Sequence, residues 1–146
     1  MANKTNSSKK STGLDKLNLE YGRIPPQAVD LEEAVLGAIM IERDAVIAVL
    51  DILRPESFYK EVHQKIYRTI VDISMNEEPI DILTVTEELK KRGELDEVGG
   101  PAYITKLTGR VASAAHLEFH ARIVAQKYIQ RELIRVSSEI QTKAYD

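Results

Sequence analysis

The sequence predicts an all-α protein, with a compact multi-helix head followed by a C-terminal helical hairpin that contains one long helix. Three observations carry that expectation. Apolar residues recur at helical spacing through most of the chain, as in Leu31, Ala34, Val35, Ala38 and Ile39. Helix start and stop signals punctuate those stretches. No segment shows a convincing period-two strand with turns on both sides. Ile80 to Thr86 comes nearest, and its capping residues favour helix. At 146 residues, with 43% hydrophobic and 29% charged residues, the chain is long enough for one domain with an ordinary core.

Taken in order, residues 2–13 contain no large apolar side chain and cannot bury enough surface to offset the entropy of ordering. They are read as a disordered arm and residues 14–24 as a mixed connector, and residues 1–22 together are assigned as a disordered basic arm. Pro25-Pro26 stiffens the entry to the head, which is assigned to residues 23–98. Asp30 with Glu33 resembles a capping box for the first helix. A short second helix fits Ala45 to Leu53 and is closed by Pro55, and a third fits Lys60 to Met75 through Val62, Ile66, Ile70 and Ile73. The fourth helix is capped by Asp81 or Thr84, with Thr84 and Glu87 as a capping box, and Gly93 is its left-handed terminator. Residues 99–146 are the expected hairpin. Gly99-Gly100-Pro101 starts a short helix over Ala102 to Thr108, and Ser113 can cap a last helix from Ala114 towards Lys143.

Composition excludes several function classes. There is no cysteine, so disulfides, thiolate metal sites and a cysteine nucleophile are ruled out. No apolar run approaches the roughly 20 residues that cross a bilayer, and the N-terminus lacks a secretory h-region. The expectation is a soluble cytoplasmic protein with no membrane partner. The net charge of -3 hides a pattern: residues 30–100 hold 17 acids and eight bases, while both flanking stretches are net basic. An acidic middle is a poor candidate for gripping phosphates.

The motifs of chemistry are largely absent. Lys4-Thr5 and Lys10-Ser11 have no glycines before them, so no phosphate cradle exists and nucleotide hydrolysis by this chain is not expected. No Gly-x-Ser-x-Gly elbow occurs. His116 and His120 stand one helical turn apart, a spacing that can share a metal, but no third ligand is evident and the order is not that of zinc proteases. His63 lies beside a core stripe, which favours a structural role. The acid pairs Glu32-Glu33, Glu77-Glu78 and Glu87-Glu88 point about 100° apart on a helix, and are read as helix-start charge on a solvated face. Phe58, Tyr59, Tyr67 and Tyr103 can stack nucleobases or fill a core. The balanced charge near Tyr59 favours the core.

The last helix asks for a partner. About 30 residues at 1.5 Å rise make a rod of roughly 45 Å, against a radius of gyration near 15 Å for a compact chain of this size. Leu117, Ala121, Val124 and Tyr128 mark one apolar stripe, and Ile129, Leu133, Val136 and Ile140 mark a second. Ile134 sits among Gln130, Arg131, Ser137 and Ser138, on a polar face. It is either a stray exposed residue or a contact to another chain.

At this point the residues become recognisable. Arg23-Ile24-Pro25-Pro26-Gln27 and Glu32-Glu33-Ala34-Val35-Leu36-Gly37 resemble the opening of bacterial DnaB-type replicative helicases. The likeness continues through Ser57-Phe58-Tyr59, His63-Gln64-Lys65-Ile66-Tyr67, Pro79-Ile80-Asp81 and Gly93-Glu94-Leu95-Asp96. It extends through Gly99-Gly100-Pro101-Ala102-Tyr103-Ile104 and His120-Ala121-Arg122-Ile123-Val124, and so covers about residues 23 to 146. Asp30-Leu31 departs from the more usual Glu-Ala.

The resemblance implies the N-terminal collar domain of such a helicase, without the RecA-like ATPase domain that follows it in the family. It implies ring assembly through paired hairpins and docking of primase. The parent protein would be an ATP-dependent helicase moving 5′ to 3′ on single-stranded DNA. No cofactor is implied for this stretch, and ATP and magnesium are implied for the parent. Partners are primase, further copies in a dimer or hexamer ring, single-stranded DNA through the parent, and a helicase loader. Leu117, Val124, Tyr128 and Leu133 are assigned to hairpin packing and self-association. Tyr103, Ile134 and Ile140 are assigned to a primase-facing or inter-subunit surface. Two other classes compete. A small all-α DNA-binding regulator of helix-turn-helix type would explain the short helices and basic C-terminal stretch, but it lacks a basic recognition helix. A stand-alone enzyme lacks a constellation.

Overall fold

The computed structural model describes residues 23–111 and 113–146. The described residues form five α-helices: α1 (Val29–Ile41), α2 (Glu61–Met75), α3 (Ile82–Lys91), α4 (Gly100–Gly109) and α5 (Leu117–Tyr145). Two short 3₁₀ turns, Ala45–Ala48 and Pro55–Ser57, link α1 to α2. There is no β-strand among the described residues. The expected arm at residues 1–22 lies outside them.

The helix ends follow local chemistry, with some departures from the predicted caps. Asp30 and Glu33 do not form a box. α1 begins at Val29 after Ala28, without a side-chain cap, and Asp30 lies inside its first turn. The predicted helix over Ala45 to Leu53 is instead a 3₁₀ turn followed by successive backbone turns, such as Val49 N–H to Val46 O at 3.0 Å and Leu53 N–H to Val49 O at 2.9 Å. Val46, Ile47, Val49 and Ile52 are β-branched, which disfavours a sustained α-helix, and Pro55 stops it from extending. At α3 the box is made by Asp81 and Thr84 rather than Thr84 and Glu87. Thr84 N–H donates to Asp81 Oδ1 at 2.9 Å, and Asp81 N–H donates to Thr84 Oγ1 at 3.0 Å. Gly93, at φ 69°, ends α3 with the predicted left-handed residue, and Glu94 N–H closes back on Leu89 O at 2.9 Å. Ser113 Oγ accepts from Ala115 N–H at 3.3 Å, one turn ahead of the helix start at Leu117.

Packing divides the described residues into two compact units. One is Gln27–Ile129; the other comprises residues 23–26 with Gln130–Asp146. The division falls inside α5, and α4 packs against α1 and shares its core. In the first unit, α1 is the central element and packs on α2, on α4 and on the turn Ala45–Ala48. Leu36, Ile39, Phe58, Ile66, Tyr67, Ile70, Leu89, Ile104 and Leu107 are its largest fully buried apolar side chains. Gly37 sets the close approach of α1 to α4. A Cβ there would overlap the carbonyl oxygen of Leu107 and lie 2.8 Å from Val111 Cγ2. α5 contributes Leu117, Ala121 and Val124 to this core.

In the second unit the buried guanidinium of Arg131 donates to the carbonyl of Pro26 at 2.9 Å. Arg135 braces the outer surface of the helix through Glu132 and Glu139, both at 2.8 Å.

Candidate interaction surface

The chemistry-bearing residues gather first in a buried chain of hydrogen bonds. Glu32 on α1 is 1% exposed and His63 on α2 is fully buried. Glu32 Oε2 accepts from Tyr59 N–H at 2.8 Å, and Oε1 accepts from Lys60 N–H at 3.4 Å. These amides precede α2, which has no side-chain cap of its own, so a carboxylate 27 residues upstream does the capping at the positive end of the helix dipole. Glu32 Oε1 also lies 2.8 Å from His63 Nδ1, and His63 Nε2 lies 2.6 Å from the Tyr103 hydroxyl. With the carboxylate as acceptor, Nδ1–H donates to Glu32 and Nε2 accepts from Tyr103. Burial, reinforced by the nearby Glu33 carboxylate, pushes the Tyr103 hydroxyl up to about 12.

This carboxylate–imidazole–phenol chain has the members of a proton relay, but its carboxylate and imidazole ends are sealed in the core. What it does is lock α1, α2 and α4 together. Glu33 is also buried and pairs with Arg110 just beyond α4. The expectation that Glu32-Glu33 form a solvated face is therefore corrected: each acid is buried on a partner far along the chain. Phe58 and Tyr67 are core residues, and the Tyr67 hydroxyl donates to Leu53 O at 3.0 Å. The rings of His116 and His120 are 6.2 Å apart, and no group of three metal-ligating side chains occurs among the described residues.

The residues assigned to packing and association separate along α5. Leu117 and Val124 are buried at 4% and 1% exposure, and Tyr128 is half-buried. Leu133 and Ile140 are both 63% exposed, and Val136 is 41% exposed. At about 100° per residue these three fall on one face, within roughly 60° of each other. Ile134 is half-buried rather than exposed. Tyr103 is half-buried and committed to His63. Leu133 and Ile140 thus share one open apolar row on α5.

The fold and this row can be compared with known proteins. The family model described as DnaB-like helicase N terminal domain matches residues 24–126. The chain belongs to this family. It is 50% identical over 130 residues to the replicative DNA helicase DnaB of Rhodothermus marinus, covering 89% of this chain and 14% of that protein. It is 42% identical over 123 residues to the replicative DNA helicase DnaB of Geobacillus stearothermophilus, covering 84% of this chain and 27% of that protein. The chain therefore spans only a minor part of the length of these curated relatives. The crystal structure of the N-terminal domain of DnaB helicase from Mycobacterium tuberculosis superposes with a TM-score of 0.81 at 38% identity, covering 84% of this chain and 85% of that one. The all-α fold is that of a DnaB N-terminal domain.

Sequence reasoning missed the main work of several residues that carry the resemblance. Glu32, His63 and Tyr103 make one buried cluster, and Gly37 permits a helix contact. The signal was available in part: a Glu, a His and a Tyr on apolar faces of predicted helices require polar partners when buried. No helix among the described residues is long and apolar enough to cross a membrane.

Proposed function

We propose that this chain is the collar portion of a replicative DNA helicase, serving assembly of the ring and docking of primase during DNA replication. The observation that carries this reading is the open row of Leu133, Val136 and Ile140 on α5, which leaves three aliphatic side chains in water unless another chain covers them. Family membership supplies the context of a replicative helicase. In this reading the parent protein uses ATP and magnesium to unwind DNA, and threads single-stranded DNA through parts other than this chain. The chain itself contributes no catalytic group; it contributes surfaces for copies of itself, for primase and for a helicase loader.

Sedimentation of the chain, alone and with the helicase-binding domain of primase, tests this. The native chain is expected to self-associate or to bind primase, and the Leu133→Ser/Ile140→Ser double variant is expected to lose at least one of these while staying folded. A chain that stays monomeric at high concentration and ignores primase would overturn the proposal. Ile134→Ala is a poorer probe, because Ile134 is half-buried and its loss also costs packing.

A further inference from the structure

A second open surface lies wholly within the unit Gln27–Ile129 and includes none of the residues assigned above. The end of α1, the turn Ala45–Ala48 and the loop joining α2 to α3 enclose a groove of about 720 Å³. Ile41 and Ile47 line it and remain exposed at 39% and 66%. Five carboxylates line the same groove, against the single cation Arg43.

Two of the five are committed within the fold: Glu42 accepts from Ala114 N–H at 3.1 Å, and Asp81 caps α3. Asp44 has only a distant pairing with Arg43, at 3.9 Å. Glu77 and Glu78 take part in none of the ion pairs found among the described residues.

We propose that this groove docks a basic peptide segment of a partner protein, with an aliphatic side chain seated on Ile41 and Ile47 and flanking lysines or arginines facing Asp44, Glu77 and Glu78. Charge selects this occupant. Residues 30–100 carry 17 acids and eight bases, so this face repels nucleic acid and the same face of a second copy. In the N-terminal arm, residues 2–13 have lysines but no large apolar residue, and the leucines that follow, Leu14, Leu17 and Leu19, stand beside Asp15 and Glu20, which an acidic rim repels. An apolar floor with an acidic rim matches a cationic segment with an aliphatic centre.

The inference goes beyond the collar reading and is tested separately. The probe is a fluorescein-labelled heptapeptide of alternating lysine and leucine, with lysine→glutamate and leucine→serine versions as controls. Fluorescence anisotropy should show binding that weakens with salt. Either control peptide, or Ile47→Ser or Glu78→Lys in the protein, should weaken binding about tenfold. Both protein positions are exposed, and circular dichroism checks that each variant folds. Amide chemical-shift changes on peptide addition should centre on residues 41–47 and 77–80.

Equal binding of the control peptides, or unchanged binding by both variants, would overturn the proposal. So would shift changes centred on residues 133–140, or an Ile47→Ser variant that loses a dimer instead of peptide affinity. The collar reading is decided separately, by sedimentation of the Leu133→Ser/Ile140→Ser variant with and without primase, so failure here is distinguishable from failure of that reading.

Discussion

The two ends of α5 carry apolar residues at the same helical spacing and treat them oppositely. Leu117, Ala121 and Val124 are buried in the core of the unit Gln27–Ile129. Leu133, Val136 and Ile140 stand in solvent. Periodicity defines a face but not what covers it. The first stripe is buried in the fold; the second is open to solvent. The same distinction separates the polar residues. Glu32 and Glu33 are buried with partners, whereas Glu132 and Glu139 lie on the outer surface and pair with Arg135 within one helical turn.

The largest effect that would sharpen this contrast is at Glu32. Glu32→Ala removes the cap of α2 and leaves the buried His63 Nδ1–H without its acceptor, and each buried donor left unsatisfied costs about 1–3 kcal/mol. Denaturant unfolding should show the loss. Glu132→Ala in the same assay should be near neutral, and comparable losses for the two would break the comparison.

Next is the apolar pair. Leu117→Ala is expected to cost about 3 kcal/mol through lost burial and a residual cavity. Leu133→Ala should stay within about 0.5 kcal/mol. A large loss at Leu133 would mean that its face is covered even in the isolated chain.

Alkaline titration probes the buried hydroxyls. Burial raises both Tyr67 and Tyr103 from an ordinary value of 10.0 to about 12. The native state holds these protons more tightly than the unfolded chain. Their contribution is thus fully present below pH 10 and is lost as pH rises from about 10 through about 12. Thermal melts should fall over that interval, and Tyr103→Phe should flatten part of the fall while lowering stability near neutral pH.

The smallest effect is at the outer surface of α5. The hydrogen bond from Arg135 holds the Glu132 carboxyl below its ordinary value of 4.5. Its small contribution is present above that value and is lost as pH falls through the lowered one. Helical content of α5 should decline slightly on acidification and less so in high salt. A decline independent of salt would point to a cause other than the ion pair.

How much of this was legible in the sequence depends on the range of each interaction. The helix over Lys60 to Met75 was readable because its apolar residues repeat every turn, and the terminator Gly93 because a left-handed position favours glycine. The break-up of Ala45 to Leu53 was harder to read, since its apolar spacing suits a helix while its β-branched residues resist one. Among the residues assigned to interaction surfaces, Leu133 and Ile140 could be placed on one face from spacing alone. The commitment of Tyr103 to His63, 40 residues away, could not be read from spacing.

By itself the sequence determined the helical class, most helix ends, the acidic middle and the two stripes of the last helix, since each rests on neighbours within a turn or on composition. Only the tertiary structure decided that Glu32 caps a helix 27 residues on, that Glu33 reaches Arg110, and that Gly37 seats α4. It also decided which stripe of α5 is covered. Those outcomes depend on which distant groups meet, and a buried polar group takes whichever partner the packed helices bring within reach, because leaving it unpaired costs more than any local preference returns.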